Sequence, residues 1–236
     1  MPISASSEAP PLTVHDLRLV YGRGRDATTV LDVPALSIAA GAQLSVSGPS
    51  GSGKTSLLHV LTGIERPTTG LICWGSVDLA TLGEGARDAW RRRNVGLVFQ
   101  DFHLAPQLSA LENVLLPLRF DHWRLGAAQR DRAQDLLDAV GLAEPKRRAG
   151  VLSRGEQQRV AIARALIRDP RILAADEPTA SLDAENRAVV ADLLLAAARR
   201  SGATLLVVTH DAALLGRLGS VIRIANGSVA PVEAAA

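Results

Sequence analysis

The sequence predicts an α/β protein with a mostly parallel sheet and a mixed β edge. Three observations point there. Val95–Phe99, Ile172–Ala175 and Leu205–Val208 are short, wholly apolar runs, the pattern of strands covered on both faces. Segments of helical period separate them, and strands alternating with helices build parallel sheets. A glycine-rich octapeptide, Gly48-Pro49-Ser50-Gly51-Ser52-Gly53-Lys54-Thr55, joins a strand to a helix early in the chain.

The elements follow in order. Met1 to Pro11, rich in Ser, Ala and Pro, reads as a disordered leader; it has neither the basic segment nor the apolar core of a secretory signal. Leu12 to Tyr21 alternates apolar and polar residues, which predicts a strand, and 22–28 is a polar loop. Val30–Ala39 and Gln43–Ser47 are expected strands on either side of a turn at Gly41. Lys54–Gly63 reads as a helix stopped by Gly63, with Pro67 beyond it. Leu71–Trp74 and Val95–Phe99 are the next strands. After Asp101 the strand pattern gives way to helical period, clearest in Ala127–Val140, so a helical subdomain of about 101–160 is expected as an insertion. A helix at Gly155–Arg168, a strand at Ile172–Ala175, a helix at Ala184–Arg200 and a strand at Leu205–Val208 follow. Val221–Ile224 and Ser228–Val232 are expected to close the chain as a hairpin across Asn226-Gly227, leaving 233–236 as a tail. The whole of 12–232 reads as one domain.

Composition narrows the functional classes. The 236 residues suffice for a sizeable core, with 47% hydrophobic and 21% charged residues close to the globular average. No uninterrupted apolar run approaches the roughly 18–20 residues that span a bilayer, so a cytoplasmic location is the default expectation. The net charge of +2 gives no ground for a nucleic-acid partner. Cys73 is the single cysteine, lies in an apolar stretch and is expected to be a buried, inert thiol. His15, His59, His103 and His122 show no metal-site spacing.

The octapeptide carries the chemistry. A dense negative charge is best held by backbone N–H groups turned inward, and Gly48, Gly51 and Gly53 allow conformations that side chains forbid. The helix opening at Lys54 adds its dipole and free N–H groups. The pattern is that of a phosphate loop: the Lys54 ammonium is expected on the β- and γ-phosphates and the Thr55 hydroxyl on Mg²⁺. Ile172 to Ala175 is an apolar strand that runs into two carboxylates, Asp176 and Glu177. At the C-terminal end of a buried parallel strand these face the ligand crevice. Asp176 is expected to hold Mg²⁺ through water, and Glu177 to polarise an attacking water as general base. The implied ligands are ATP and Mg²⁺.

Leu152-Ser153-Arg154-Gly155-Glu156-Gln157-Gln158-Arg159 resembles the signature motif of ABC-type ATPases, and with it the chain from Leu12 to Val232 is similar to an ABC nucleotide-binding domain. The resemblance implies a P-loop NTPase core with an N-terminal antiparallel β subdomain and a helical subdomain insertion. It also implies further roles. Tyr21 is placed to stack on adenine, and Ser56 continues the phosphate loop. Gln100 takes the position of the glutamine that touches Mg²⁺ and the attacking water. Asp183, in Ser181-Leu182-Asp183, resembles the D-loop, and His210 resembles the switch histidine on the γ-phosphate. Two subunits of this family pack head-to-tail, so Ser153, Gly155 and Glu156 of one would face ATP held by the other.

After the signature serine the family usually has Gly-Gly, and this chain has Arg154-Gly155. The substitution puts a bulky cation beside the γ-phosphate position. Activity is expected to survive it, because Ser153, Gly155 and the hydrolytic positions match.

The run Val95 to Val114, with Phe99-Gln100-Asp101-Phe102-His103-Leu104-Ala105-Pro106, is similar to the LolD/MacB/FtsE group. That resemblance implies an ATP-dependent homodimer on the cytoplasmic face of the inner membrane, peripheral through an integral permease of FtsX/MacB type. Phe102, Leu104, Leu108, Leu111, Leu115 and Leu116 then either pack the helical lobe or line a groove for the permease, and Phe120 and Trp123 share that ambiguity. Two other readings stay open: a soluble, non-transport ABC ATPase and an attenuated nucleotide sensor.

Overall fold

The computed structural model of the chain describes residues 9–121, 124–230 and 232–234. The expectations for Met1 to Glu8, for His122 and for Trp123 lie outside the described residues. In chain order the elements are β1 (Leu12–Tyr21), β2 (Thr28–Ile38), β3 (Gln43–Ser47), α1 (Lys54–Leu61), β4 (Thr69–Trp74), β5 (Val77–Asp78), α2 (Glu84–Asn94), β6 (Val95–Val98), α3 (Ala110–Arg119), α4 (Ala127–Ala139), α5 (Arg154–Leu166), β7 (Ile172–Asp176), α6 (Ala184–Ser201), β8 (Thr204–Val208), α7 (Ala212–Leu215), β9 (Ser220–Ala225), β10 (Ser228–Val229) and β11 (Glu233–Ala234).

These strands form two sheets. The first is antiparallel, in the order β2-β1-β4-β5, with Leu12 opposite both Ile38 and Trp74. In β1 the buried Leu12, Val14, Leu17 and Leu19 alternate with exposed residues, with one slip at Asp16, where φ is 48°. The second sheet runs β10-β9-β3-β8-β7-β6, with β11 beside β9. Its strands β9, β3, β8, β7 and β6 are parallel to one another. The Gly41 turn thus sends the chain from the first sheet to the second rather than closing a hairpin.

The parallel strands are apolar throughout because both of their faces are covered. Leu173, Ala175, Leu205 and Val207 join a core with α3, α4, α5 and α6. Their neighbours Ile172, Ala174, Leu206 and Val208 join another with α1 and the antiparallel sheet. Trp74 is buried there and its indole N–H donates to the Leu61 carbonyl at 2.8 Å, which fastens the antiparallel sheet to the end of α1.

Three details differ from the sequence reading. An unanticipated helix, α2, lies between β5 and β6, with Arg87 as its buried residue. The closing hairpin turns at Asn226-Gly227 with φ of 49° and 77°, both positive as a tight primed turn requires. Its second arm ends at Val229 and not Val232, and pairing with β9 resumes at Glu233–Ala234, inside the expected tail. Cys73 is half-buried, not buried, and burial with the nearby Asp78 charge pushes its thiol up, which favours the unreactive form. No helix among the described residues is long and apolar enough to cross a membrane.

Candidate functional site

The octapeptide spans the gap between β3 and α1, and its outer side leaves no room for side chains at two places. A Cβ on Gly48 would stand 2.0 Å from the Ile224 carbonyl oxygen of β9. One on Gly53, where φ is 100°, would meet Leu31 Cδ2 at 2.9 Å and Val30 O at 3.0 Å. The β9–β10 turn braces the loop from behind. The Gly227 N–H donates to the Ser52 carbonyl at 3.1 Å, and the Asp32 N–H donates to the Gly227 carbonyl at 2.8 Å. On the inner side the Lys54 ammonium donates to the carbonyls of Gly48 at 3.0 Å and Pro49 at 2.8 Å, arching its charge across the loop. A braced loop, a fixed cation and the start of α1 together make an anion site.

The parallel register brings the other expected residues to the same edge. Val98 is level with Ala175, Ala175 with Val207, and Val207 with Ser45, so β3, β6, β7 and β8 end side by side. Asp176 closes β7, and Gln100, Glu177 and His210 lie just beyond the strand ends. The Thr55 hydroxyl donates to Asp176 Oδ2 at 2.9 Å. Burial raises the Asp176 carboxyl above the usual carboxylate range, and the Thr55 hydrogen bond partly opposes this. The other oxygen, Oδ1, is buried without a partner. A buried, unpaired carboxylate oxygen beside a hydroxyl fits a hard dication. Among the described residues no group of three or more His, Cys, Asp or Glu side chains is gathered to hold a metal. A Mg²⁺ ion there would draw its remaining ligands from water and phosphate, which is its usual habit.

Glu177 sits next to this pair with an uncommon backbone, φ 45°, held by its N–H donating to the Val208 carbonyl at 2.8 Å. Its Oε1 lies 2.9 Å from His210 Nδ1, and its Oε2 is buried without a partner. The Glu177 side chain is 15% exposed and that of His210 77%. One carboxylate oxygen is therefore oriented by the imidazole, and the other is left for a water or substrate proton. Gln100 is exposed in the turn after β6, beside the ends of β7 and β8.

Tyr21 ends β1 with its ring 45% exposed. Its hydroxyl donates to Glu65 Oε2 at 2.8 Å, just past α1, and partial burial together with Glu65 raises its pKa. The hydroxyl is thus held near Ser56 of α1 and Glu65 beyond it.

Ser153 and Glu156 lie in the helical lobe and form a capping box at the start of α5. The Glu156 N–H donates to Ser153 Oγ at 3.3 Å, and the Ser153 N–H donates to Glu156 Oε2 at 2.7 Å. Glu156 Oε1 accepts from Arg147 at 3.1 Å. These contacts, the Ser153 N–H first, hold the Glu156 carboxyl below the usual range. Glu156 thus positions Ser153 within its own subunit. Gly155 is buried, and a Cβ on it would stand 2.4 Å from Asn186 Oδ1. Asn186 in turn donates through its backbone and side-chain N–H groups to the two oxygens of Asp183, each at 2.8 Å. Asp183 is the N-cap of α6, and these bonds lower its pKa. Arg154, expected to face a nucleotide, has its guanidinium over the Phe102 ring, 5.8 Å from the centroid.

Asn186, Arg147 and Glu65 went unread in the sequence. The Ser153-x-x-Glu156 spacing is a capping-box signal that was there to be seen. Asn186 and Glu65 act across long sequence gaps, and no local pattern announces them.

Of the helical-lobe apolar residues, Leu115 is buried and Leu104 and Leu111 pack against the core, so these serve the lobe. Leu116, Pro117 and the 75%-exposed Phe120 instead line a groove of about 470 Å³ with Leu97 and Phe99, rimmed by Arg92 and Arg168.

Comparison with known proteins identifies the family and the fold. Residues 31–180 match the ABC transporter family. The chain is 41% identical to the lipoprotein-releasing system ATP-binding protein LolD of Geobacter metallireducens over 92% of this chain and 97% of that protein. It is 40% identical to the LolD protein of Legionella pneumophila, over 92% and 96%. The dimeric ATP-binding cassette MJ0796, in a post-hydrolysis state bound to ADP and Pi, superposes with a TM-score of 0.87 at 34% identity, over 95% of this chain and 99% of that one.

Proposed function

The chain belongs to the ABC transporter family, as an ATP-hydrolysing subunit of the LolD/MacB/FtsE group, and from that premise we propose that it works as a head-to-tail homodimer closing on two MgATP to drive an FtsX/MacB-type permease. The observation that carries this is a division of the site. The loop, Thr55–Asp176 and Glu177–His210 gather at one strand edge, whereas Ser153 is bonded within the helical lobe to Glu156. A second copy supplies the missing half. The dimeric state of the MJ0796 cassette supports the same arrangement.

The residues divide the work. Lys54 and the loop N–H groups bind the β- and γ-phosphates, and Tyr21 stacks on the adenine. Thr55 and Asp176, with Gln100, hold Mg²⁺, which when bound would neutralise developing phosphate charge. Glu177 accepts the proton of the attacking water at Oε2. His210 orients Glu177 and reaches the γ-phosphate from its exposed position. Ser153 and the N–H groups opening α5 cover the γ-phosphate of the partner's nucleotide.

The groove beside Phe120 and Leu116 is suited to a helix of the membrane subunit, which would hold this chain on the cytoplasmic face of the inner membrane. Lipoprotein release, named for the LolD relatives, is one task such a permease performs; export and mechanical transmission are others in the group. The test is the Glu177→Gln variant with MgATP in light scattering. A stable dimer is expected, and a variant that stays monomeric at saturating MgATP overturns the composite site. Co-purification of a permease with few spans and a large extracytoplasmic domain is the matching test of the partner.

A further inference from the structure

The segment after Gln100 is gripped twice by one helix. At the start of α5 the Arg154 guanidinium lies over the Phe102 ring at 5.8 Å. Near its end the Arg164 guanidinium donates from Nη2 to the Phe102 carbonyl and from Nη1 to the His103 carbonyl, each at 2.5 Å. The gripped residues are unusual. Phe102 and His103 are both in the left-handed region, with φ of 58° and 47°. Neighbouring structure must over-determine such backbone for it to persist. Phe102 is itself buried, its N–H donates to the Phe99 carbonyl at 3.2 Å, and the Phe99 and His103 rings are 4.7 Å apart.

The geometry points to Arg154 as a positioning residue that fastens the Ser153 turn to the Gln100 segment within one subunit. A guanidinium over an aromatic face is a directional contact, and Arg stacks where a glycine reaches nothing. Arg154 directly follows Ser153, and Phe102 lies two residues past Gln100. The tie therefore joins the element that covers the partner's nucleotide to the element beside this subunit's own Asp176 and Glu177. A shift of Gln100 then carries Ser153 with it. That consequence for turnover rests on the composite-site reading, whereas the tie itself does not. In this account the charge of Arg154 is spent on Phe102 and not on a phosphate.

The test compares Arg154→Gly, Arg154→Lys, Phe102→Leu, Phe102→Tyr and the double variant Arg154→Gly/Phe102→Leu. Hydrogen exchange of the peptide spanning 99–104 is measured first, without nucleotide. Arg154→Gly and Phe102→Leu are each expected to speed exchange several-fold, and the double variant no further. Arg154→Lys restores part of the protection, and Phe102→Tyr, which keeps the ring face, behaves as the parent. ATP turnover follows the same order, with kcat reduced several-fold and KM for ATP within a factor of about two. Unchanged exchange in Arg154→Gly overturns the tie. So do additive effects of Arg154→Gly and Phe102→Leu on kcat, or a rise in kcat for Arg154→Gly, since Arg154 then acts on the nucleotide directly. If the exchange results hold while Glu177→Gln stays monomeric with MgATP, the composite site fails and the tie stands.

Discussion

The Thr55 hydroxyl and Asp176 Oδ2 are 2.9 Å apart although 121 positions separate them in the chain. That single bond joins the phosphate loop to the carboxylate edge, and it forms on a buried group whose second oxygen is unpaired. Burial holds the Asp176 pKa above its unfolded value. A carboxyl of that kind carries its ionised form at a cost to the fold. The cost is full above the folded pKa and vanishes below the unfolded one. Asp176→Asn is therefore expected to raise the Tm of the nucleotide-free protein at pH 7. The gain should shrink as pH falls through the carboxylate range. The same variant should lose most of the Mg²⁺ dependence of ATP binding, measured by titration calorimetry with and without chelator.

Glu177→Gln removes the proton acceptor but keeps the shape, so ATP turnover should fall by about 10²–10⁴-fold with nucleotide affinity retained. His210→Ala takes away a largely exposed side chain. Its Tm should stay within about a degree of the parent, as for other surface changes, while turnover falls with that of Glu177→Gln. A His210→Ala variant with unimpaired turnover would remove His210 from the mechanism.

Glu156 tests the capping box at the signature. Its pKa is lowered, so its contribution to stability is present above the unfolded value and is lost as pH falls through the folded one. Glu156→Ala should cost about 1 kcal/mol at neutral pH. The Tm difference between parent and variant should begin to shrink as pH falls past the ordinary Glu value of about 4.3 and close only below the depressed folded pKa. A difference that persists unchanged in acid would mean that the carboxylate bonds to Ser153 and Arg147 are not what stabilises the turn.

The sequence was most legible where chemistry restricts residue type. The octapeptide, the Asp176-Glu177 strand end and the buried strands β7 and β8 all followed from glycine placement or from unbroken apolar runs. Those features are local, and the parallel register then carries them to one edge. What went unread depends on distance or on polarity. α2 carries four arginines and buries chiefly Arg87, so no apolar stripe marks it. The second arm of the closing hairpin is expected to run to Val232, whereas its ladder with β9 stops at Val229. The Asn186 contact with Gly155 joins the starts of two helices, and only the packing of α6 on α5 creates it. Arg154 was read by its position in the motif and not by the ring that Phe102 offers it.

Gly155 and Asn186 make a further prediction. A methyl at position 155 meets the Asn186 amide well inside contact distance, so Gly155→Ala should cost about 1–3 kcal/mol. Asn186→Ala should recover part of that loss in thermal unfolding when combined with it. If the double variant loses as much as the sum of the two singles, the crowding at Asn186 is not the cause.

The adjacent positions of the signature turn consequently differ in the room they leave for a side chain. Position 155 is sealed by α6, and whatever is placed there disturbs Asp183 as well, through Asn186. Position 154 opens outward and admits a long side chain without moving either helix.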